Sequence, residues 1–135
     1  MGLPDFAARL VLEAAMSPSE DPAKVAQAMQ RVVGDVIVEV TPGSRSVNLC
    51  TEDPRALVAL RDQLRDRRVR SAARRQMLLN AAGRSTSLLL NRQAAAAGVV
   101  AICGSPAESP LGPIHLTIES DKLEAMLDWL TAYPG

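Results

Sequence analysis

The chain has 135 residues, fifteen basic and fifteen acidic side chains, and no net formal charge at pH 7. A chain of this length is expected to form a single domain over residues 1–135 that buries roughly two thirds of its unfolded surface. Only 2% of its residues are aromatic, which argues against the stacking platforms that bind single-stranded nucleic acid. No apolar run reaches the length of about eighteen residues that a membrane span requires. We therefore expect a cytoplasmic protein without membrane contact.

The even charge balance conceals a segregation of charge along the chain. Nine of the fifteen basic residues lie between residues 61 and 93, where only Asp62 and Asp66 are acidic. Nine minus two gives +7 for this segment, and the remaining six basic and thirteen acidic residues give −7 for the rest. Local acids cannot neutralise the segment, so either distant acids or an external anion must compensate it.

The first third of the chain predicts a strand, a helix and a hairpin. Apolar residues alternate with other residues over positions 8–14, as in a strand. Asp21 before a proline is typical of a helix start, and Gly34 of the following helix end. Residues 35–40 and 46–50 predict two strands joined by a tight turn, which contains Pro42 and Gly43.

The middle of the chain predicts a long helical segment. Asp53 before Pro54 repeats the capping pattern, and helical spacing continues to residue 80. We expect a break near Asp66, because an unbroken helix would be about 40 Å long. Residues 85–90, with three consecutive leucines, predict a strand that is covered on both faces and hence central in its sheet.

The last third predicts a short capped turn, two strands and a helix. Asn91 can cap a helical turn that ends at Gly98. Residues 99–103 and 114–118 predict strands on either side of a long loop. Asp121 is expected to cap the final helix.

The basic segment places its arginines on a helix, beside an apolar stripe. Arg67, Arg70 and Arg74 share one face, and Arg68 and Arg75 form a parallel row. A guanidinium group suits bidentate contacts with phosphate or carboxylate. Three interpretations remain open: binding to a phosphate backbone, pairing with acids of the same chain or of another subunit, and simple exposure to solvent.

We hypothesise a non-catalytic module that binds structured RNA through this helix. The expected RNA-binding residues are Arg67, Arg68, Arg70, Arg74, Arg75, Asn91, Arg92 and Gln93. The alternative is a protein-protein interaction or a homodimer, in which the same arginines meet acids of a second copy. The acids named for that role are Glu119, Asp121, Glu124 and Asp128.

No residue pattern indicates catalysis, a metal or a cofactor. His115 is the only histidine and alternates with buried strand positions, so we expect it to be exposed or partly covered. Cys50 and Cys103 lack further ligands at metal-site spacing, and we expect buried thiols. The acid pairs at residues 20–21 and 52–53 precede prolines at helix starts, which favours capping over cation binding.

Five segments of the sequence resemble an archaeal family (UPF type) of uncharacterised proteins to which RNA binding is ascribed. They are residues 19–22 (Ser, Glu, Asp, Pro), 69–74 (Val, Arg, Ser, Ala, Ala, Arg), 90–95 (Leu, Asn, Arg, Gln, Ala, Ala), 109–114 (Ser, Pro, Leu, Gly, Pro, Ile), and Trp129 with Leu130. The resemblance implies an α+β fold: a two-layer sandwich of one mixed or antiparallel sheet of five or six strands, with helices on one face. It is similar to the large-subunit ribosomal protein that binds the small ribosomal RNA. The predicted order of elements agrees.

Overall fold

The computed structural model describes residues 7–17, 19–42, 45–64, 67–105 and 112–132, without the side chains of Pro42 and Arg67. Within these residues the chain forms one open five-stranded antiparallel sheet with helices packed on it. The α+β class and the two-layer arrangement are thereby confirmed. In the same residues, no helix is both long and apolar enough to cross a membrane.

The sheet and its helices follow one another in a fixed order along the chain. The elements are β1 (Ala8–Ala15), α1 (Pro22–Val33), β2 (Glu39–Pro42), β3 (Ser46–Thr51), α2 (Pro54–Gln63), α3 (Arg67–Asn80), β4 (Ser85–Leu90), α4 (Arg92–Ala96), β5 (Ile114–Ser120) and α5 (Leu123–Leu130). The strand order is β2-β3-β1-β5-β4, so β1 is central and β2 and β4 form the edges.

Alternation along the strands builds the core. In β1, Leu10 and Leu12 are fully buried while Arg9 and Glu13 are exposed on the opposite face. Leu12 lies opposite Leu49 on β3 and Leu116 on β5, so that leucines from three strands meet beneath the helices. Complete burial of such a side chain contributes about 1.5–3 kcal/mol, and the core is built almost entirely from aliphatic residues of this kind.

The predicted capping residues lie at the starts of α1 and α2 and at the end of α1. Asp21 accepts a hydrogen bond from the Ala23 N–H at 3.0 Å, and Asp53 one from the Arg55 N–H at 2.9 Å. Gly34 ends α1 at a φ of 77°, where a side chain would be strained. A Cβ atom at Gly34 would also lie 2.8 Å from the Ala59 Cβ. Gly34 therefore ends α1 and permits its close approach to α2.

The hairpin and the broken helix agree with the sequence in their main features. β2 and β3 pair in antiparallel fashion, with Pro42 opposite Val47; the turn residues Gly43 and Ser44 lie outside the described residues. The strand prediction at residues 35–40 is wrong for residues 35–38, because β2 begins at Glu39. Gln30 Nε2 donates to the carbonyls at positions 34 and 36 and holds that stretch beside α1. The helix break falls between Gln63 and Arg67, and Asp66 itself is not described.

The remaining corrections concern the β4 edge and α5. β4 is an edge strand rather than a central one, because the only described strand that it pairs with is β5. Leu89 is accordingly only half-buried, between the buried leucines on either side. Residues 99–103 form no strand; Ile102 makes a single bridge to Leu90, and the Cys103 N–H donates to the Leu89 carbonyl at 2.8 Å. Asp121 is not the cap of α5. That position is Lys122, whose N–H donates to the Ser120 hydroxyl at 3.2 Å.

Candidate functional site

The candidate site is built on α3, which carries five arginines and no acid in its fourteen residues. The helix packs against β4 through Ala73 and Met77, both fully buried. The Thr86 hydroxyl, itself buried, donates to the Met77 carbonyl at 2.6 Å. These contacts fix the rotation of α3 about its axis and hence decide which arginines face outward.

The outward face of α3, here called the outer stripe, consists of Arg68, Ser71, Arg75, Leu78 and Leu79, all exposed. Two helical turns separate Arg68 from Arg75, about 10 Å along the axis at 1.5 Å per residue. Arg75 makes no ion pair with any residue that the structure describes. The stripe is cationic in its first half and apolar in its second, where Leu79 is 80% exposed.

The neighbouring arginines are turned toward α5. Arg74 Nη2 lies 3.0 Å from Asp128 Oδ1, and Arg74 Nη1 donates to the Thr131 hydroxyl at 2.9 Å. The Arg61 guanidinium on α2 lies 4.9 Å from the centre of the Trp129 ring. Each contact is partly exposed and contributes about 1 kcal/mol or less. Together they attach α5 to α2 and α3, and they use two arginines for packing within the chain.

Arg92 is buried in a junction at the other end of the basic segment. Its Nη1 donates to both Glu20 carboxylate oxygens at 2.8 Å, and its Nη2 donates to the Ala15 carbonyl. The side chains of Arg92 and Glu20 are only 5% and 12% exposed. A Cβ atom at Gly112 would lie 3.9 Å from Arg92 Nη2. Arg92 therefore joins the end of β1, the start of α1 and the residues before β5.

The Glu20 carboxylate is ionised in this junction despite its burial. Burial by itself would raise the pKa of Glu20. The Ser17 N–H, which donates to Glu20 Oε1 at 2.9 Å, and the Arg92 guanidinium favour the charged form more strongly. The net result is a pKa below the ordinary value of the carboxyl group, so the pair is charged at neutral pH.

The sequence-predicted site residues thus fall into separate places. Arg68 and Arg75 share the outer stripe, Arg74 faces α5, and the Arg67 side chain lies outside the described part. Arg70 is 6% and Arg92 4% exposed. The Asn91 side chain caps α4 by accepting from the Ala94 N–H at 2.9 Å, as predicted, and Gln93 is exposed on α4, which packs against α1. The structure does not gather all eight residues on one face.

Sequence reasoning missed the partner of Arg92. Glu20 was interpreted as a capping acid, yet Asp21 alone makes the capping contact to α1. The two partners are 72 residues apart, so no local spacing could reveal them. The only indication in the sequence was the net charge of residues 61–93, which is too positive for the two acids within that segment to neutralise. Glu20 and Asp128 are two of the distant acids that compensate it.

The other chemistry-bearing side chains form no recognisable centre. Cys103 is buried as expected, whereas Cys50 is half-buried and its Sγ lies 3.2 Å from Arg9 Nε. That contact raises the pKa of the Arg9 guanidinium. His115 is exposed and lies opposite Glu13 in the sheet. In the part of the chain that the structure describes, no three His, Cys, Asp or Glu side chains gather as metal ligands would.

Comparison with known proteins identifies the family. Over 126 residues, the chain is 34% identical to a UPF0201 protein of Sulfurisphaera tokodaii, which covers 91% of this chain and 86% of the relative. The chain belongs to the UPF0201 family. A UPF0201 protein of Pyrobaculum neutrophilum is 34% identical over 115 residues, 83% of this chain and 80% of that one. The resemblance to an archaeal family of uncharacterised proteins is thereby confirmed. No family model matches the chain.

Solved structures share the UPF0201 fold seen here. The crystal structure of a UPF0201 protein from Methanococcus jannaschii has a TM-score of 0.76 at 20% identity and covers 94% of this chain and 95% of that one. A protein from Archaeglobus fulgidus has a TM-score of 0.72 at 12% identity, with 95% and 98% covered. At these identities the likeness concerns the fold alone.

The segments that carry the UPF0201 resemblance meet at two structural junctions. Glu20, Arg92 and Gly112 come from three of them and lie together at the Arg92 junction. The other two segments hold Arg74 and Trp129, which lie at the contact of α5 with α3 and α2. These residues hold elements together, and the outer stripe lies beside them.

Proposed function

We propose that this UPF0201 chain is a non-catalytic binding module that contacts the phosphate backbone of structured RNA through the outer stripe of α3. The observation that carries the proposal is the exposure of Arg68 and Arg75 on a helix that contains no acid. The nearby Asp128 carboxylate is engaged by Arg74, and Arg75 makes no ion pair with any residue that the structure describes.

The kind of RNA follows from what the surface offers. Guanidinium groups bind phosphate oxygens in bidentate fashion, and the sequence has almost no aromatic residues on which unpaired bases could stack. A duplex recognised by its backbone and shape is therefore the better ligand. The implied similarity to the ribosomal protein that binds the small ribosomal RNA supports the same ligand class, by analogy of fold only.

Salt-dependent binding tests the proposal with a charge-matched control. Filter binding of an RNA hairpin would be measured over a series of salt concentrations for the wild type, for R68A/R75A and for K24A/R45A. Lys24 lies on α1 and Arg45 just before β3, and both are exposed. Both double variants lose two positive charges, so the second controls for net charge. Log affinity falls as log salt concentration rises, and each lost phosphate contact makes this negative slope less steep by about 0.7–0.9.

We expect R68A/R75A to make the salt dependence less steep by about 1.4–1.8 in this slope. K24A/R45A should leave the slope nearly unchanged. If R68A/R75A retained the wild-type affinity and slope, the outer stripe would not be the RNA-binding surface. Equal losses in both variants would show a response to net charge rather than to this surface.

A second candidate function is protein-protein interaction, favoured by the apolar half of the same stripe. Leu78 is 55% and Leu79 80% exposed, and adjacent exposed apolar side chains are typical of protein interfaces. In the homodimer hypothesis, the α3 arginines contact acids of a second copy. Of these, Asp128 is held by Arg74 in the same chain. Mass measurements at varied protein concentration, without RNA, separate this function from the first.

A further inference from the structure

Exposed apolar side chains form two surfaces at opposite edges of the sheet. Ile37, which precedes β2, is 89% exposed and Val40 in β2 is 45% exposed. Leu78 and Leu79 are exposed on α3, which packs on β4. β2 and β4 are the two edge strands. Four strand spacings separate them, about 19 Å at 4.8 Å each. The two surfaces are therefore too far apart to cover one another within one chain.

The first surface is a rigid projection, here called the Ile37 knob, formed by residues 35–39. Gln30 Nε2 donates to the Gly34 carbonyl at 2.6 Å and to the Val36 carbonyl at 3.1 Å. The Thr51 hydroxyl donates to the Ile37 carbonyl at 3.3 Å. Val36 and Val38 pack against the core, so Ile37 is held outward on an anchored backbone.

Acidic side chains flank Ile37 within the knob. Asp35 and Glu39 are both exposed, two residues before and two residues after Ile37, and residues 35–39 contain no basic side chain. In an extended chain, positions i and i+2 project to the same side. The knob thus combines one apolar side chain with two negative charges.

The second surface is a groove of about 370 Å³ between α3 and β4, here called the α3 groove. Its lining includes Ala72, Gln76, Leu79, Leu89 and Ile102, together with Arg75. Gln76 fixes the floor, because its Nε2 donates to the Cys103 carbonyl at 2.7 Å and its Oε1 accepts from the Leu89 N–H. The groove combines apolar side chains with the polar Gln76 and Asn80, and it is positively charged beside Arg75.

We propose that the Ile37 knob of one copy of this chain docks into the α3 groove of a second copy. Ile37 fills the apolar part, and the acids of the knob face Arg75. Charge selects this arrangement: the knob has two acids and no base, whereas Arg75 lines the groove and makes no ion pair with any residue that the structure describes. Packing α3 against α3 would instead bring Arg75 of one copy close to Arg75 of the other, which is unfavourable.

The contact joins two different surfaces, so it is heterologous and assembles copies head to tail. It does not depend on RNA binding, but Arg75 and Leu79 belong to both the groove and the outer stripe, so the second copy and RNA would compete for them. The interface is small, and interfaces below about 1,200 Å² are weak and transient. Assembly is therefore expected to increase with protein concentration.

The test measures the mass of the nuclease-treated full chain by light scattering over a concentration series. The wild type should grow in mass with concentration, and I37D and L79D should each remain single chains. Mixed together, I37D and L79D should form a one-to-one dimer, because the first retains its groove and the second its knob. V99D serves as the control, since Val99 is 55% exposed outside both surfaces, and it should assemble like the wild type.

Two results would overturn the proposal. One is a wild-type mass of a single chain at every concentration. The other is a failure of the two variants to combine although circular dichroism shows both to be folded. Neither variant removes an arginine, so RNA affinity measured on I37D reports separately on the proposed function.

Discussion

Replacing Glu20 by glutamine should destabilise the fold strongly, because it leaves the Arg92 guanidinium buried without a carboxylate. Arg92 and Glu20 make two hydrogen bonds of 2.8 Å at 5% and 12% side-chain exposure. Removing one partner of such a buried pair costs about 3–5 kcal/mol. Typical domains unfold at about 5–15 kcal/mol, so this single substitution would remove a large part of the stability.

The loss can be measured by urea denaturation at neutral pH. With a slope of about 2 kcal/mol per molar urea, a loss of 4 kcal/mol lowers the midpoint by about 2 M. The double variant E20Q/R92M should lose less, about 1–3 kcal/mol, because no charge remains buried and mainly the Ala15 carbonyl lacks its donor. Arg75→Ala, on the exposed stripe, should change stability by no more than about 0.5 kcal/mol.

The Glu20–Arg92 pair should also make the free energy of unfolding depend on pH in a predictable direction. Folding lowers the pKa of Glu20 below its ordinary value of 4.5. The contribution of the ionised Glu20 to stability is therefore fully present above pH 4.5 and is lost as the pH falls through the lower pKa of the folded state. The difference between wild type and E20Q should therefore be constant near neutral pH and shrink on acidification. A loss in E20Q no larger than that of Arg75→Ala, or a difference that grows toward acid pH, would refute the reasoning.

Three further substitutions test local features of the fold by thermal or urea unfolding. Gly34→Ala should destabilise more than Gly83→Ala for two reasons. Gly34 combines a φ of 77° with a ψ of −161°, a region nearly confined to glycine, and a new Cβ there would lie 2.8 Å from the Ala59 Cβ, whereas nothing lies within 4 Å of one at Gly83. Equal losses would contradict a close approach of α1 to α2. Asn91→Ala should cost about 1 kcal/mol by removing the α4 cap, and Asn91→Ser should restore most of it; no difference between these two would argue against capping. Asp128→Asn should cost at most about 1 kcal/mol and less at high salt, since the Arg74 pair is exposed, and a larger, salt-independent loss would count against that assignment.

Local signals in the sequence predicted most of the fold. Alternation identified β1 and β5, and Asp21, Asp53 and Asn91 marked the helix starts where the structure has them. Such signals act within a few residues, so one sequence suffices to find them. Position within the sheet is not local. The three leucines of β4 are equally compatible with an edge strand that packs under α3.

The candidate site was less predictable, because side-chain pairing over long separations decides it. Helical spacing correctly grouped Arg68 with Arg75. It could not reveal that Arg74 would meet Asp128, 54 residues away, or Arg92 meet Glu20. Nor could it show that Gln30 would hold residues 34–36 out of the sheet and project Ile37. Each of these outcomes depends on which elements the folded chain brings together.

The central claim is that RNA contacts the outer stripe of α3, and site-directed photo-cross-linking tests it most directly. A photoreactive amino acid would replace Ser71, which is exposed between Arg68 and Arg75, or Lys24, which is exposed on α1. An RNA hairpin should form a covalent adduct with the chain labelled at position 71. It should form no adduct with the chain labelled at position 24. Adducts of equal yield at both positions, or at position 24 alone, would contradict the claim.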